Sequence, residues 1–306
     1  MTSLGEGMKL SQRWRWWRER RRIHLPDEVH RAGELAEQRL AKIARAAGKN
    51  NGWHVFESVR IPDVEQGGKR EIDLVIVGGN TLLVVEQKHW SGSFEINENE
   101  EFIQLRKNGT THNHSTVSQR IKRKARMLAE MHANRIDGHD EVVVEVVLAF
   151  TNRNLTWPDN VHDVDCTVKD EAGMIALLEE RHPGDLNGPL LETVEGFGTW
   201  DEVHLHGGLV RKGDLLDLGL GAEIDEWMAS RTASMSGEVT HARSALSLFR
   251  QRPSSVRLQH GTRHLQADVP YGQQLKMHVV GQDRPEDLPW SVIQSVHLSK
   301  PDRWNG

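Results

Sequence analysis

The residues of this sequence best suited to chemistry are two carboxylates and a lysine on neighbouring predicted strands. The strands cover Glu71 to Val77 and Thr81 to His89, and the turn Gly78-Gly79-Asn80 joins them. With a two-residue loop, the hairpin register places Asp73 directly opposite Glu86. A three-residue loop would misalign the two carboxylates by one position, so this prediction depends on the turn type.

Facing carboxylates on a sheet lie about 5 Å apart at Cβ and repel each other, which destabilises the pair. Protonation of one carboxylate would relieve the repulsion, and so would a divalent cation such as Mg²⁺, which prefers oxygen ligands. Lys88 shares a strand face with Glu86 and could touch a bound water or a phosphate oxygen. An ion pair with Glu71 is the structural alternative for this lysine.

The segments around this hairpin predict the fold that positions it. Apolar spacings of three and four predict helices over Asp27 to Ala47 and Ser115 to about Arg135. A further strand is predicted at Trp53 to Val59, and Val142 to Phe150 suits a buried central strand. The order of helix, three strands, helix and strand ends in a strand–helix–strand crossover, which implies a mixed α/β sheet flanked by helices.

Polar residues on the two helices are further candidates for a site. Glu34 lies well away from the apolar stripe of the first helix, either as a solvated glutamate or as part of the site. Gln119 opens the second helix. The basic positions of that helix suit phosphate contacts made without base readout, or form a solvated face: Arg120, Lys122, Arg123, Lys124 and Arg126.

The rest of the chain gives weaker signals. Helices are predicted at 222–230 and 237–251, and four short strand-like runs follow Pro253, which indicates a small β-rich C-terminal module. We therefore divide the chain into a basic Arg/Trp-rich N-terminal segment, a mixed-sheet domain, a linker and helical region, and the β-rich module, at 1–26, 27–182, 183–252 and 253–306.

Arginine and tryptophan interleave near the N-terminus, in the run Trp14-Arg15-Trp16-Trp17-Arg18-Glu19-Arg20-Arg21-Arg22. Such a run can contact phosphates and stack on bases, or lie on an anionic membrane surface. A mobile, solvated lead-in segment is the simpler interpretation.

Composition excludes several classes of protein. The 306 residues carry a formal net charge of −5, with 37% hydrophobic residues and one cysteine, which excludes a wholly basic nucleic-acid binder, a disulfide scaffold and a Cys-rich metal site. No apolar run reaches the roughly 20 residues of a membrane span, and no signal peptide is visible, so we expect a soluble, cytoplasmic protein. His112 and His114, in a predicted loop, and His204 and His206 lack a third ligand at zinc spacing.

At these positions the sequence closely resembles the NERD (nuclease-related) domain, a branch of the PD-(D/E)XK nuclease superfamily. The resemblance rests on Gly33-Glu34, Glu71-Ile72-Asp73, the string Val85-Glu86-Gln87-Lys88-His89-Trp90-Ser91-Gly92, and Gln119 before a basic helix. It covers roughly residues 28–150 and implies a restriction-endonuclease-like core, with the same order of helices and strands as above.

The resemblance also implies roles for the matching residues. Asp73, Glu86 and the backbone carbonyl of Gln87 would hold Mg²⁺ or Mn²⁺. Lys88 would orient or help to deprotonate the attacking water and stabilise charge on the phosphate. Glu34 would assist the metal or the water, and Gln119 would help to position the site.

We therefore expect a metal-dependent nuclease, an endonuclease or an exonuclease, that hydrolyses phosphodiester bonds in DNA. The resemblance suggests defence against foreign DNA and, by analogy, a homo-oligomer. The alternative is a nucleic-acid-binding or sensing module whose nuclease site is silent or depends on a larger assembly. A membrane-surface protein held by the Arg/Trp segment is a third hypothesis.

Overall fold

The computed structural model describes residues 9–136, 141–162, 164–243 and 253–304. The chain divides into two compact units. The mixed-sheet unit comprises residues 28–199 and 302–306, and the antiparallel unit comprises residues 1–27 and 200–301. Within the described residues, no helix is both long enough and apolar enough to cross a membrane.

The described helices and strands are, in chain order, α1 (Leu10–Glu19), α2 (Glu28–Gly48), β1 (His54–Pro62), β2 (Lys69–Gly78), β3 (Thr81–Lys88), β4 (Ser93–Ile96), β5 (Phe102–Leu105), β6 (Thr111–His114), α3 (Val117–Arg135), β7 (Val143–Phe150), β8 (Thr167–Asp170), α4 (Glu171–Glu180), α5 (Gly188–Glu195), β9 (Asp201–Leu205), β10 (Val210–Asp217), α6 (Ala222–Ala229), β11 (Met235–Thr240), β12 (Ser254–His260), β13 (Arg263–Val269), β14 (Gln274–Val279), β15 (Glu286–Pro289) and β16 (Ile293–Leu298).

A five-stranded mixed sheet forms the centre of the mixed-sheet unit, in the order β1-β2-β3-β7-β8. The first three strands are antiparallel, whereas β3, β7 and β8 run parallel. The parallel step from β3 to β7 requires a crossover, and α3 lies within it. The predicted α/β class and the order of helix, three strands, helix and strand are therefore confirmed.

Helices cover both faces of this sheet. Leu40 and Ala44 of α2 pack with Leu83 and Val85 of β3 and with Met174 of α4 on one face. On the other face α3 and α5 cover the alternate strand residues, in a core that includes Val75, Leu82, Val84, Ile121 and Leu128. Because side chains alternate along a strand, Glu86 belongs to the α3 face, as do Leu82 and Val84.

The antiparallel unit contains an eight-stranded sheet in the order β13-β12-β11-β16-β9-β10-β14-β15. The predicted β-rich C-terminal module is thus confirmed, but it draws on more of the chain than the four predicted runs. Residues 201–217 contribute two strands to a region expected to be linker and helix. The helix predicted at 237–251 is wrong at its start, where β11 continues to Thr240, and residues 244–251 lie outside the described residues.

The Arg/Trp segment is folded over its described residues, contrary to the interpretation as a mobile lead-in. Residues Leu10–Glu19 form α1. The indole of Trp17 donates a hydrogen bond to the carbonyl of Arg243, at 3.2 Å. Trp16 packs edge-on against Tyr271, with ring centroids 6.0 Å apart.

The hairpin between β2 and β3 has the two-residue loop on which the register prediction depends. Gly78 pairs with Thr81, which leaves Gly79 and Asn80 as the loop. Gly79 has a φ of +51° and Asn80 does not have a positive φ, as in a type II′ turn with glycine first. A Cβ at Gly79 would also overlap the carbonyl oxygen of Pro183, so glycine is required there for two reasons.

Gly79→Ala should lower the free energy of unfolding of the mixed-sheet unit by about 2–4 kcal/mol, because left-handed strain adds to the overlap with Pro183. Gly109→Ala is the matched control: Gly109 has a φ of +80° but open space around its Cβ position, so we expect a loss of only about 1 kcal/mol. Urea unfolding measures both, and equal losses would contradict this account of the turn.

Candidate active site

The predicted register of the β2–β3 hairpin is confirmed at every recorded pair. The ladder runs from Gly78 opposite Thr81 to Leu74 opposite Val85, so the next residues toward the end of β3 are Asp73 and Glu86. Asp73 Oδ2 accepts a hydrogen bond from the backbone N–H of Gln87 at 2.7 Å. The Asp73 carboxylate therefore forms a side-chain hydrogen bond to the backbone of β3, directly after the last recorded pair of the β2–β3 ladder.

Two lysines hold the carboxylate of Glu86. Lys88 Nζ donates to Oε1 at 2.7 Å, and Lys124 Nζ donates to Oε2 at 2.8 Å. The three side chains retain only 17–22% of their exposure. Lys88 comes from the same strand face as Glu86, whereas Lys124 comes from α3, which covers that face. Lys88 thus forms an ion pair with Glu86.

The two carboxylates differ in protonation because their surroundings differ. Desolvation, together with the charge of Glu86, raises the pKa of Asp73 to about 7. Desolvation acts on Glu86 in the same direction, but Lys88 and Lys124 outweigh it and hold the pKa of Glu86 below its ordinary value. At neutral pH the site therefore holds an ionised Glu86 beside an Asp73 that is partly protonated.

The donor set fits a hard divalent cation. Asp73 and Glu86 offer carboxylate oxygens, and burial, followed by the charge of Glu86, raises the pKa of Asp73 despite the two lysines. In an antiparallel ladder the N–H and C=O of one residue face the same neighbour. Since the Gln87 N–H binds Asp73, the Gln87 carbonyl faces that side as well and adds a third oxygen.

The Gln87 side chain fixes β3 from the other face of the sheet. It is buried, and its Nε2 donates to Thr151 Oγ1 at 3.1 Å, just beyond β7. The exposed His89 also contacts Thr151 Oγ1, through Nδ1 at 3.0 Å. His89 lies on the face opposite Lys88, as predicted, and has a structural partner there.

The Trp90-Ser91-Gly92 end of the string anchors the three-stranded sheet β4-β5-β6. Trp90 is buried, stacks on His114 with centroids 4.1 Å apart, and packs against Phe150. Gly92 has a φ of +90°, and a Cβ there would overlap the carbonyl oxygen of Leu105 on β5. The segment from Val85 to Gly92 therefore holds the charged candidate residues Glu86 and Lys88, and the residues directly after them are closely packed.

Glu34 and Gln119 lie on the helices expected to carry them. Glu34 is half-buried on α2, which packs on the face of the sheet opposite Glu86. Arg39 of the same helix donates to the carbonyl of Thr151 at 3.2 Å, so this part of α2 lies near the carboxyl end of β7. Gln119 is exposed in the first turn of α3. The roles of both residues in the site stay predictions.

The basic residues of α3 are mostly engaged in ion pairs within the chain. Lys122 binds Asp165 at 3.0 Å, and Arg123 binds the buried Asp63 at 2.7 Å. Lys124 binds Glu86, as above, whereas the sequence predicted it only as one of a run of basic residues suited to phosphate contacts. Successive helix residues point about 100° apart, so the three consecutive basic residues have three different acidic partners. The signal that could have found Lys124 is its place beside the buried stripe residues Ile121 and Ala125.

The histidine pairs have local partners. His112 and His114 lie on β6, a strand rather than the predicted loop. His204 contacts Glu202 at 3.0 Å, and His206 contacts Arg243 at 2.9 Å. Across the described ranges, no group of three or more His, Cys, Asp or Glu side chains is arranged to hold a metal ion.

The mixed sheet thus carries a desolvated carboxylate pair with two lysines on Glu86. Residues 32–151 match the model of the nuclease-related domain (NERD) family. This match agrees with the resemblance found in the sequence and is consistent with a protein that carries a nuclease-related domain. Comparison with curated proteins and with solved structures gave no significant match.

The raised pKa of Asp73 predicts a pH-dependent stability in metal-free protein. Its folded-state pKa exceeds the unfolded value, so the contribution to stability is complete below the unfolded pKa near 3.8 and is lost as the pH rises through about 7. Asp73→Asn removes this titration. The free energy of unfolding of the variant, relative to that of wild type, should therefore rise by about 1 kcal/mol per pH unit across that window. Urea unfolding in EDTA measures the difference.

Asp63→Asn provides the opposite control. Hydrogen bonds from Arg123, helped by Arg70, hold the pKa of Asp63 well below its ordinary value. Its contribution to stability is present above the unfolded pKa and is lost as the pH falls through the folded one, so Asp63→Asn should destabilise the protein at neutral pH and less in acid. The same pH trend in both variants would refute the assigned directions.

Proposed function

We propose that the mixed-sheet unit is a metal-dependent nuclease that hydrolyses phosphodiester bonds, with DNA as its substrate. The observation that supports this most strongly is the desolvated Asp73–Glu86 pair, with two lysines on Glu86, inside a nuclease-related domain. A carboxylate pair that keeps a proton near neutral pH is suited to exchange that proton for a cation.

Asp73, Glu86 and the backbone carbonyl of Gln87 would hold Mg²⁺ or Mn²⁺, since all three offer hard oxygen donors. When bound, such a cation lowers the pKa of water and neutralises charge on a phosphate. The protein contributes the geometry. The Gln87 N–H fixes Asp73, and the bonds of Gln87 to Thr151 hold the end of β3 against β7.

The lysines would act on the nucleophile and the phosphate. Lys88 would orient the attacking water and stabilise the negative charge that develops on the phosphate. Lys124 would hold the second oxygen of Glu86 and so fix the orientation of that carboxylate. In line with the family resemblance, Glu34 would assist the water and Gln119 would help to position the site.

Two finer points rest on the resemblance alone. Cleavage of both strands of a duplex would suit a homodimer, in which each copy cuts one strand. Defence against foreign DNA is a biological role in which such an activity would be used.

Glu86→Ala and Lys88→Ala should each lower DNA cleavage at least 100-fold, because each removes a charge from the reacting centre. Purified protein would be incubated with circular, linear and single-stranded DNA in Mg²⁺ or Mn²⁺, and EDTA should stop the reaction. Matched controls are Glu95→Ala and Lys107→Ala, which change exposed residues outside the site and should keep full activity. Circular dichroism would check that each variant is folded. A wild-type rate of DNA cleavage in either folded site variant would refute the proposed site.

Lys124→Met should lower the cleavage rate about 10-fold or more, since Glu86 loses one of its two ion pairs. Lys122→Met is the matched control. Lys122 lies two residues earlier on α3 and pairs with Asp165 and Glu100 instead of Glu86. Equal cleavage rates for the two variants would refute the proposed role of Lys124 in the site.

A second candidate function is a nucleic-acid-binding or sensing module with a silent site. The observation that favours it is that both oxygens of Glu86 are already engaged by lysines, so the charge of this carboxylate is neutralised within the chain. Salt-sensitive DNA binding that persists in Glu86→Ala, with no cleavage by wild type under any metal condition, would select this function over the nuclease.

A further inference from the structure

A second charged site lies in the antiparallel unit, apart from the proposed nuclease chemistry. It is a cavity of about 710 Å³, within the range of roughly 300–1,000 Å³ that is typical of small-molecule sites. Its charged lining consists of Arg20, Arg21 and Arg243, beside His206 and His241. Among the described residues that line it, none is acidic.

Arg20 is a buried cation with unused hydrogen-bonding capacity. Its side chain is 3% exposed and stacks over Tyr271, with the guanidinium carbon 4.7 Å from the ring centroid. Nη1 reaches the carbonyl of Ala242 at 3.4 Å, and Nε has no hydrogen-bond partner. Buried charges are normally paired, yet no carboxylate in the described part of the chain forms an ion pair with Arg20.

Within the described part of the chain, Arg21 and Arg243 contact ring side chains rather than carboxylates. Arg21 lies over the ring of Trp17, 4.4 Å from the centroid. Arg243 Nη2 lies 2.9 Å from the ring nitrogen Nδ1 of His206. A guanidinium that stacks on a ring keeps the donors at its edge available, which applies to Arg21. Arg243 uses Nη2 on His206 and keeps its other donors for an anion.

The two histidines are neutral parts of this site. His241 Nε2 lies 2.8 Å from the Ile293 carbonyl and must donate to it, so Nδ1 accepts from the Ser254 hydroxyl at 2.7 Å. Desolvation, and then the charge of Arg243, lower the pKa of His206 to about 4. The positive charge of the cavity therefore comes from the three arginines and is present throughout the neutral pH range.

We propose that this cavity binds the phosphate group of a nucleotide or of a nucleic-acid strand. Arginine forks match phosphate oxygens in pairs, and a phosphate can accept from several guanidinium groups at once. Three arginines without a lining carboxylate favour a multiply charged anion over a single carboxylate. The proposal concerns the antiparallel unit alone and does not depend on nuclease activity.

Calorimetric titration tests the proposal in the 306-residue Glu86→Ala protein with EDTA present, so that no substrate is cut. The probes are inorganic phosphate, AMP, adenosine and a short single-stranded DNA. Phosphate and AMP should bind, and adenosine, which lacks the phosphate, should bind at least 10-fold more weakly than AMP. Absence of phosphate and AMP binding, or equal binding of AMP and adenosine, would overturn the proposal.

Variants then assign the binding to the cavity. Arg243→Gln and Arg21→Gln should each weaken AMP binding at least 10-fold. Arg263→Gln, at an exposed arginine of β13 outside the cavity lining, should leave it unchanged. Arg21 is itself exposed, so its variant provides the test even if Arg243→Gln fails to fold. Equal affinities in all three variants would overturn the proposal.

Competition then distinguishes the two sources of phosphate. Displacement of AMP by the DNA strand supports binding of a nucleic-acid backbone, whereas AMP binding unaffected by DNA supports a free nucleotide.

Discussion

The repulsion between the carboxylates of Asp73 and Glu86 constrains the rest of the mixed-sheet unit, because burial removes the water that would otherwise screen it. Groups around both carboxylates reduce this repulsion. The raised pKa leaves Asp73 partly protonated near neutral pH, the ammonium groups of Lys88 and Lys124 pair with Glu86, and the Gln87 N–H fixes the Asp73 carboxylate. This arrangement requires the two-residue turn at Gly79, since a one-residue slip of the hairpin would send Glu86 to the opposite face.

The elements around the hairpin serve the same arrangement. The parallel step from β3 to β7 requires a crossover, and the crossover contains α3 and with it Lys124. The end of β3 is tied to Thr151 after β7 through Gln87, while Trp90 and Gly92 pack the chain against the three-stranded sheet directly after Lys88. The charged residues thus lie at a strand end that is fixed on three sides, which is what a preorganised site needs.

The sequence predicted the mixed sheet well because each element has a strong local pattern. The hairpin register followed from one turn, and the helices followed from apolar spacing. The pairing of Lys124 with Glu86 was not predicted because three successive basic residues of α3 look alike in sequence, and only the packed helix separates their partners. In the antiparallel unit, the sequence predicts a helix that overlaps β11, and it gives no strand signal at β10 because Gly213 interrupts the pattern. In both places strand pairing overrode a weak local signal.

The most direct test of the central claim is calorimetric titration of Mn²⁺ into metal-free protein near neutral pH, in buffers of different ionisation enthalpy, which measures the protons released on binding. If the cation takes the place of the proton on Asp73, wild type should release a fraction of a proton that grows as the pH falls below about 7, and Asp73→Asn should bind at least 10-fold more weakly with little release. Undiminished Mn²⁺ affinity in Asp73→Asn would contradict the account.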